Sequence, residues 1–341
     1  MAGLASTFPT LVDVVKRLDP RGGILQVAEV LNQFNPMLDD LAFVEGNLPT
    51  GHRLGLRTAL PTPVWRRLNQ GIDPQVSKSD TTDEPIGMLE NYSKIDVDMA
   101  EINGNTAAFR FSEDKAFIQG FNIQLAQSLL YETQTTAPER FTGLTPRLNS
   151  TSNNDSNNSH TPGFANQFVK ADAAAAGANQ TSIWLVGWGP ESVFGIYPKG
   201  SVGGLKTQDL GQQLVLDQNN KQFLAYVTRF QWKVGLAVKD YRYLSRVCNI
   251  DTVNWKADLT AGADLALSMQ DGLARIFSTA GVKLAWYMNR PTYAMLNKQL
   301  VKRQANWLEW ITGPRGERIP SYFGQPIRIS DALTTSESVV S

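Results

Sequence analysis

Few side chains in this chain could carry nucleophilic or acid–base chemistry, and their spacing gives them little support. The two histidines are His52, in a Thr-Gly-His turn, and His160, at the end of an Asn/Ser tract; the one cysteine, Cys248, sits in Arg246-Val-Cys-Asn-Ile250. No HExxH or triad spacing surrounds either histidine, and a Cys–His pair would have to recruit its base from a loop. The expected state is two exposed loop histidines and a buried thiol that behaves as a small hydrophobe. The carboxylate pairs Asp39-Asp40, Asp83-Glu84 and Asp96-x-Asp98 fall at turns or alternate along an extended segment. Alternate positions of a strand share a face, so Asp96 and Asp98 read as neighbours on a solvent face rather than as a divalent-ion site.

One stretch has the outline of a cofactor site. Ile183-Trp-Leu-Val-Gly-Trp-Gly189 is an apolar strand running into Gly-x-Gly. A dinucleotide site needs a third small residue and then a helix whose N-terminus meets the pyrophosphate. Ser192 holds the third position, but Pro190 follows the second glycine and Phe194-Gly-Ile-Tyr-Pro198 reads as extended. No Gly-Lys-Ser/Thr phosphate loop occurs. No cofactor, metal or catalytic residue is expected, and a nicotinamide-dependent oxidoreductase is kept only as an alternative.

The elements that would position any site point elsewhere. Apolar residues are 42% and charged residues 19% of 341, enough to bury a core in one large or two smaller domains. Lys+Arg and Asp+Glu are both 32, so net charge selects neither nucleic acid nor membrane. No run approaches the ~20 apolar residues of a membrane span, Met1–Leu18 lacks the pattern of a secretory leader, and a single cysteine excludes an internal disulfide framework. Helical spacing predicts short helices over 10–19 and 24–34. Turn formers then recur through 46–105, with Ile95–Ile102 alternating as a strand. A long helix is expected from an N-cap at Ser112, with Phe117, Phe121, Leu125 and Leu129 on one face, to about Thr136. Residues 149–159, all Asn, Ser, Thr or Asp, form an exposed loop, and Ala173–Ala176 a short helix. Strands are expected at Ser182–Gly187, Gln222–Tyr243 and Val282–Met288. A helix capped by Asp264 should end near Gly281, a helix begun by Pro291 follows Met288, and a last strand opens after Gly324-x-Pro326. The order is α+β without regular βαβ alternation.

Charge is segregated. Residues 46–72 hold Arg53, Arg57, Arg66 and Arg67 and no acid, whereas residues 73–101 hold eight acids against Lys78 and Lys94. The two limbs either pair with each other in a solvated hairpin or reach a neighbouring molecule. Residues 283–328 hold eight Lys/Arg against Glu309 and Glu317, with Trp286, Tyr287, Trp307 and Trp310 interleaved. That composition suits a nucleic-acid surface or a subunit interface, where Arg, Trp and Tyr are enriched; the interface is favoured.

The order of elements, together with Trp184-Leu-Val-Gly-Trp-Gly189, Gly195-Ile-Tyr-Pro-Lys-Gly200, Gly235-Leu-Ala-Val-Lys-Asp-Tyr-Arg242, Asn249-Ile-Asp251, Trp286-Tyr-Met-Asn-Arg290 and Gly324-Gln-Pro-Ile-Arg328, resembles the major capsid proteins of tailed double-stranded DNA bacteriophages, the Hong Kong 97-like shell fold. The resemblance implies an N-terminal arm (1–45), an extended loop (46–105), a peripheral domain with the spine helix (106–140), an axial part with the Asn/Ser loop (141–221), peripheral strands (222–262), and an axial domain with a closing strand (263–341). It implies a structural protein of the virion capsid, made in the host bacterial cytoplasm. Its partners would be copies of itself in pentamers and hexamers, scaffold, portal and cement or decoration proteins, and packaged DNA held without sequence readout, with no membrane. An encapsulin-like nanocompartment shell is the alternative that shares the fold. Inter-subunit contact candidates on the loop are Arg53, Arg57, Arg66, Arg67, Lys78, Asp80, Asp83 and Glu84. In the C-terminal tract they are Arg290, Lys302, Arg303, Trp307 and Trp310. Some relatives cross-link a loop lysine to a neighbour's asparagine; Lys78 lacks the surrounding acid and asparagine, so that activity is not carried over.

Overall fold

The computed structural model describes residues 35–101, 105–149, 167–172, 177–217, 219–257, 259–304, 308–313 and 316–340. The helices expected over 10–19 and 24–34, the tract 150–159, the 173–176 helix, His160 and Trp307 lie outside these residues. The chain divides into two units. The smaller includes Met88–Leu125 and Gly204–Lys233; the larger includes Gln33–Gly87, Ala126–Gly203 and Val234–Ser341.

In the larger unit, a short helix α1 (Met37–Asp40) precedes β1 (Phe43–Glu45), which pairs in parallel with β7 (Val193–Tyr197). The central strand is β6 (Gln180–Trp188), and all nine of its residues are buried. A strand covered on both faces reads as a continuous apolar run rather than an alternation, which is why Ile183–Val186 is legible in the sequence. Antiparallel partners flank β6: β10 (Leu244–Asp251) and β11 (Lys283–Met288). Beyond β11 the order continues through β14 (Gln325–Ile329), β13 (Arg318–Tyr322) and β12 (Leu308–Thr312). β5 (Phe168–Lys170) pairs in parallel with β10.

Helices α5 (Leu265–Ala274) and α6 (Arg290–Lys302) share a core with this sheet through Leu265, Met269, Leu296, Leu300, Trp286 and Ile327. Burying each large aliphatic side chain contributes about 1.5–3 kcal/mol. Both helices start as their sequences dictate. The Asp264 carboxylate accepts from the Leu267 N–H and the Asn289 side chain from the Thr292 N–H, each satisfying an orphan donor of the first turn. Gln299 ties the helices together, accepting from Leu265 N at 3.1 Å and donating to Ala263 O at 2.9 Å. α5 ends at Ala274, short of Gly281, because Arg275 and Ile276 turn back onto the Gly272 and Leu273 carbonyls. Gly281, at φ +78°, instead sits in the turn before β11.

Among the described residues, strands β2 (Gly51–Ala59) and β3 (Lys78–Pro85) pair only with each other, as a separate two-stranded antiparallel hairpin. Its connection, residues 60–77, carries no regular element and is exposed throughout.

In the smaller unit, β4 (Gly87–Asp96) and β8 (Leu205–Leu216) pair with β9 (Gln222–Val238). The expected strand over 95–102 stops at Asp96. Its carboxylate accepts from the Asp98 N–H at 3.0 Å and starts helix α2 (Val97–Glu101), so Asp96 and Asp98 do not share a strand face. Helix α3 (Thr106–Tyr131) is 26 residues long, about 39 Å. Its cap is Asn105, whose side chain accepts from the Ala108 N–H at 3.2 Å; Ser112 lies within the helix, and the last residue is Tyr131 rather than Thr136. Phe109 packs with Ile95 and Ala100, and Phe117 stacks on Phe230 with ring centroids 5.7 Å apart. α3 and β9 each contribute residues to both units.

Candidate assembly surfaces

The residues that could have carried catalysis sit in structural roles. Cys248 is buried, its thiol pushed up by burial and its Sγ 3.6 Å from the Val169 carbonyl. His52 lies edge-on to Phe194 and accepts from the Asn47 N–H through Nδ1; partial burial, and then Lys239, lower its pKa. Gly187-x-Gly189 leads into strand β7, not a helix. The Ser192 hydroxyl donates to the Gly187 carbonyl at 2.7 Å, so the turn is closed on itself and no helix N-terminus faces it. The geometry argues against the dinucleotide reading. Among the described residues, no cluster of three or more His, Cys, Asp or Glu could hold a metal ion.

On the hairpin, the register sets Arg53 opposite Asp83. The two form a bidentate pair, both contacts 2.6 Å, and the arginine holds the Asp83 carboxyl below the usual carboxylate range. Asn47 brackets Arg53 from the other side, accepting from its N–H at 2.7 Å and donating to its carbonyl at 2.8 Å. Glu84 is no surface acid. It is 4% exposed, and both its oxygens take bonds from Arg147, itself 6% exposed. The cause is strand alternation: Asp83 points outward, so Glu84 points inward. Arg147 also donates to the carbonyls of Gly143, Thr142 and Leu236. Burial opposes its charge, but the adjacent Glu84 outweighs that and raises its pKa. Arg57, Arg66, Arg67, Lys78 and Asp80 are exposed.

In the C-terminal tract, Trp286 and Tyr287 are core residues, not contact residues. The Tyr287 hydroxyl donates to Asp40 and accepts from the Trp188 indole, both at 2.7 Å. Burial, then Asp40, pushes its pKa well up. Arg290 is bound by Asp331 and Arg303 by Asp264 within the chain. Lys302 is exposed, and Trp310 is 63% exposed on β12.

The arginines share the loop with exposed apolar side chains that the charge pattern does not show. Leu60, Val64, Trp65, Leu68, Ile72 and Val76 are all more than half exposed, and Trp65 is fully so at 104%. Six large apolar side chains exposed on one connection is the pattern of an interaction site. The spacing of prolines 61, 63 and 74 around a tryptophan was the available signal.

A mixed sheet, a 26-residue spine helix and a two-stranded hairpin define the class by its fold: the Hong Kong 97-like shell fold. The match to the family of major capsid protein GP7 runs over residues 19–341, and the chain belongs to that family. It is a structural subunit of an icosahedral bacteriophage capsid. The near-atomic structure of bacteriophage Epsilon15 is similar to it at 30% identity and a TM-score of 0.77, covering 100% of this chain and 99% of that one. The bacteriophage JBD30 capsid is more distant, at 6% identity and a TM-score of 0.48, covering 78% and 83%. The SrpI encapsulin of Synechococcus elongatus PCC 7942 gives 12%, 0.42, 75% and 95%. No curated protein matches the chain. Family membership favours the phage shell over the nanocompartment. Among the described residues, no helix is long and apolar enough to cross a membrane.

Proposed function

We propose that copies of this chain close into pentamers and hexamers and then into a shell around double-stranded DNA. The work is done by contacts alone, without a catalytic step or cofactor. The hairpin of each copy lies on a neighbouring copy, the arm 1–45 reaches another, and the exposed basic residues of the C-terminal tract face either neighbours or DNA. Scaffold, portal and cement proteins join the same surfaces, and the chain is made in the bacterial cytoplasm before entering the virion. Heterologous contacts that close by rotation produce such rings, and DNA held without sequence readout needs only weak charge contacts.

One observation carries this reading: a hairpin that, among the described residues, pairs only with itself, and whose connection exposes six large apolar side chains. A lone two-stranded hairpin is marginal in water, and apolar side chains so placed gain stability only against another surface. Electron microscopy of the purified chain at high concentration, together with its assembly partners, is expected to show capsomers and closed shells. A chain that stays monomeric under those conditions contradicts the proposal.

A further inference from the structure

A groove of the smaller unit lies between β4 and α3. It is lined by Leu89, Glu90 and Asn91 on one side and Phe117, Gly120 and Phe121 on the other, with a volume of about 490 Å³. That lies within the ~300–1,000 Å³ of clefts that enclose ring-bearing groups. Its floor is aromatic, because Phe117 and Phe121 rest on Phe230. Gly120 keeps it open: nothing stands within 4 Å of the position a Cβ would take there.

We infer that this groove receives Trp65 from a second copy of the chain. The inference rests on the proposal that the hairpin lies on a neighbour, and it names the anchor and its seat. Trp65 is a fully exposed large aromatic in a connection with no regular structure. Its backbone hydrogen bonds there are few, among them Gln70 N to Arg67 O and Thr62 N to the Gln75 side chain. A segment of that kind gains definition from a partner surface, and tryptophan is the residue type most enriched at the energetic centre of interfaces. Charge selects the same pairing. Residues 46–72 carry four arginines and no acid, and among the described residues the one charged residue lining the groove is the acid Glu90. Arg66 and Arg67 follow the anchor directly, so a seated Trp65 brings two cations near the Glu90 carboxylate, which Arg229 already holds. A second copy is the occupant because the shell is built from copies of this chain.

The test places the photo-cross-linker p-benzoylphenylalanine at position 65 of the full-length chain. Shells are assembled from equal parts of this chain and an isotopically heavy copy, irradiated, and the cross-linked peptides identified by mass. Because Trp65 is fully exposed, the replacement leaves the fold intact. A second variant carries the probe at Leu68, so the result does not depend on one position. Mixed light–heavy peptides joining residue 65 or 68 to 89–91 or 116–121 are the expected result. Mixed peptides joining these positions to other regions overturn the groove and leave the hairpin-on-neighbour reading standing. Cross-links confined to one chain, or none, overturn both.

Discussion

Arg147 and Glu84 meet as a bidentate pair at the root of the hairpin, both contacts 2.6 Å, with each side chain more than nine-tenths buried. Arg147 spends its other donors on three carbonyls, so the pair joins β3 to α4 (Leu144–Arg147) and to β9. Removing one partner of a buried pair strands the other charge. Arg147→Ala is expected to lower the unfolding free energy by about 3–5 kcal/mol, while Arg147→Met combined with Glu84→Leu recovers only part of that loss, because the three carbonyls still lack their donor. Urea denaturation of the unassembled chain reads both.

Glu90 gives the acid sensitivity of the smaller unit a defined window. Hydrogen bonds from Arg229 first, then from Tyr92 and Gln231, lower its pKa from 4.5 to about 2. A carboxylate whose folded pKa is depressed contributes stability that is complete above the unfolded value and lost as pH falls through the folded one. Glu90→Gln is therefore expected to be less stable than the parent at neutral pH. The gap should close between pH 4.5 and about 2. Denaturant midpoints of the two chains across that range give the comparison; a gap independent of pH contradicts it.

Asp40 is fully buried and accepts from Tyr287 at 2.7 Å, from Lys283 at 2.6 Å and from Arg328 at 3.2 Å. Tyr287→Phe removes the hydroxyl and leaves the Trp188 indole N–H without its acceptor. A loss of about 1–3 kcal/mol is expected, measured as a lower thermal midpoint of the unassembled chain.

How much of this was legible in sequence depended on whether a residue's role was local. Asp264 and Asn289 cap helices through contacts three residues away, and both helix starts could be read directly. Ser112 followed by Glu113 and Asp114 is an equally good local start, yet the cap of the helix lies seven residues earlier. Asn105 caps it, and Phe109 is held by Ile95 and Ala100, contacts that no local pattern carries. Composition could count the aromatics at 283–328 but not say which way they point. β11 buries Trp286 and Tyr287 against partners across the sheet, whereas β12 leaves Trp310 exposed. Glu84 and Asp83 are neighbours in sequence with opposite fates, set by strand alternation, and only the fold supplies the distant Arg147 that the inward one meets.

The arginines beside the hairpin tip separate folding from assembly. Arg66 and Arg67 are exposed, so replacing both with Glu should shift unfolding by less than about 0.5 kcal/mol. Assembly should fall most at low ionic strength and recover partly as salt screens the new repulsion. Light scattering during assembly across a salt series reads the difference. Equal loss at every salt concentration contradicts a charge contact at the tip.

The central claim is that the hairpin Gly51–Pro85 joins one copy of the chain to another. A cryo-electron microscopy reconstruction of the assembled shell tests it most directly. The expected density shows the hairpin of every copy lying on an adjacent copy, with residues 60–77 covered. A closed shell whose hairpins touch only their own chains, with Trp65 still open to solvent, would contradict it.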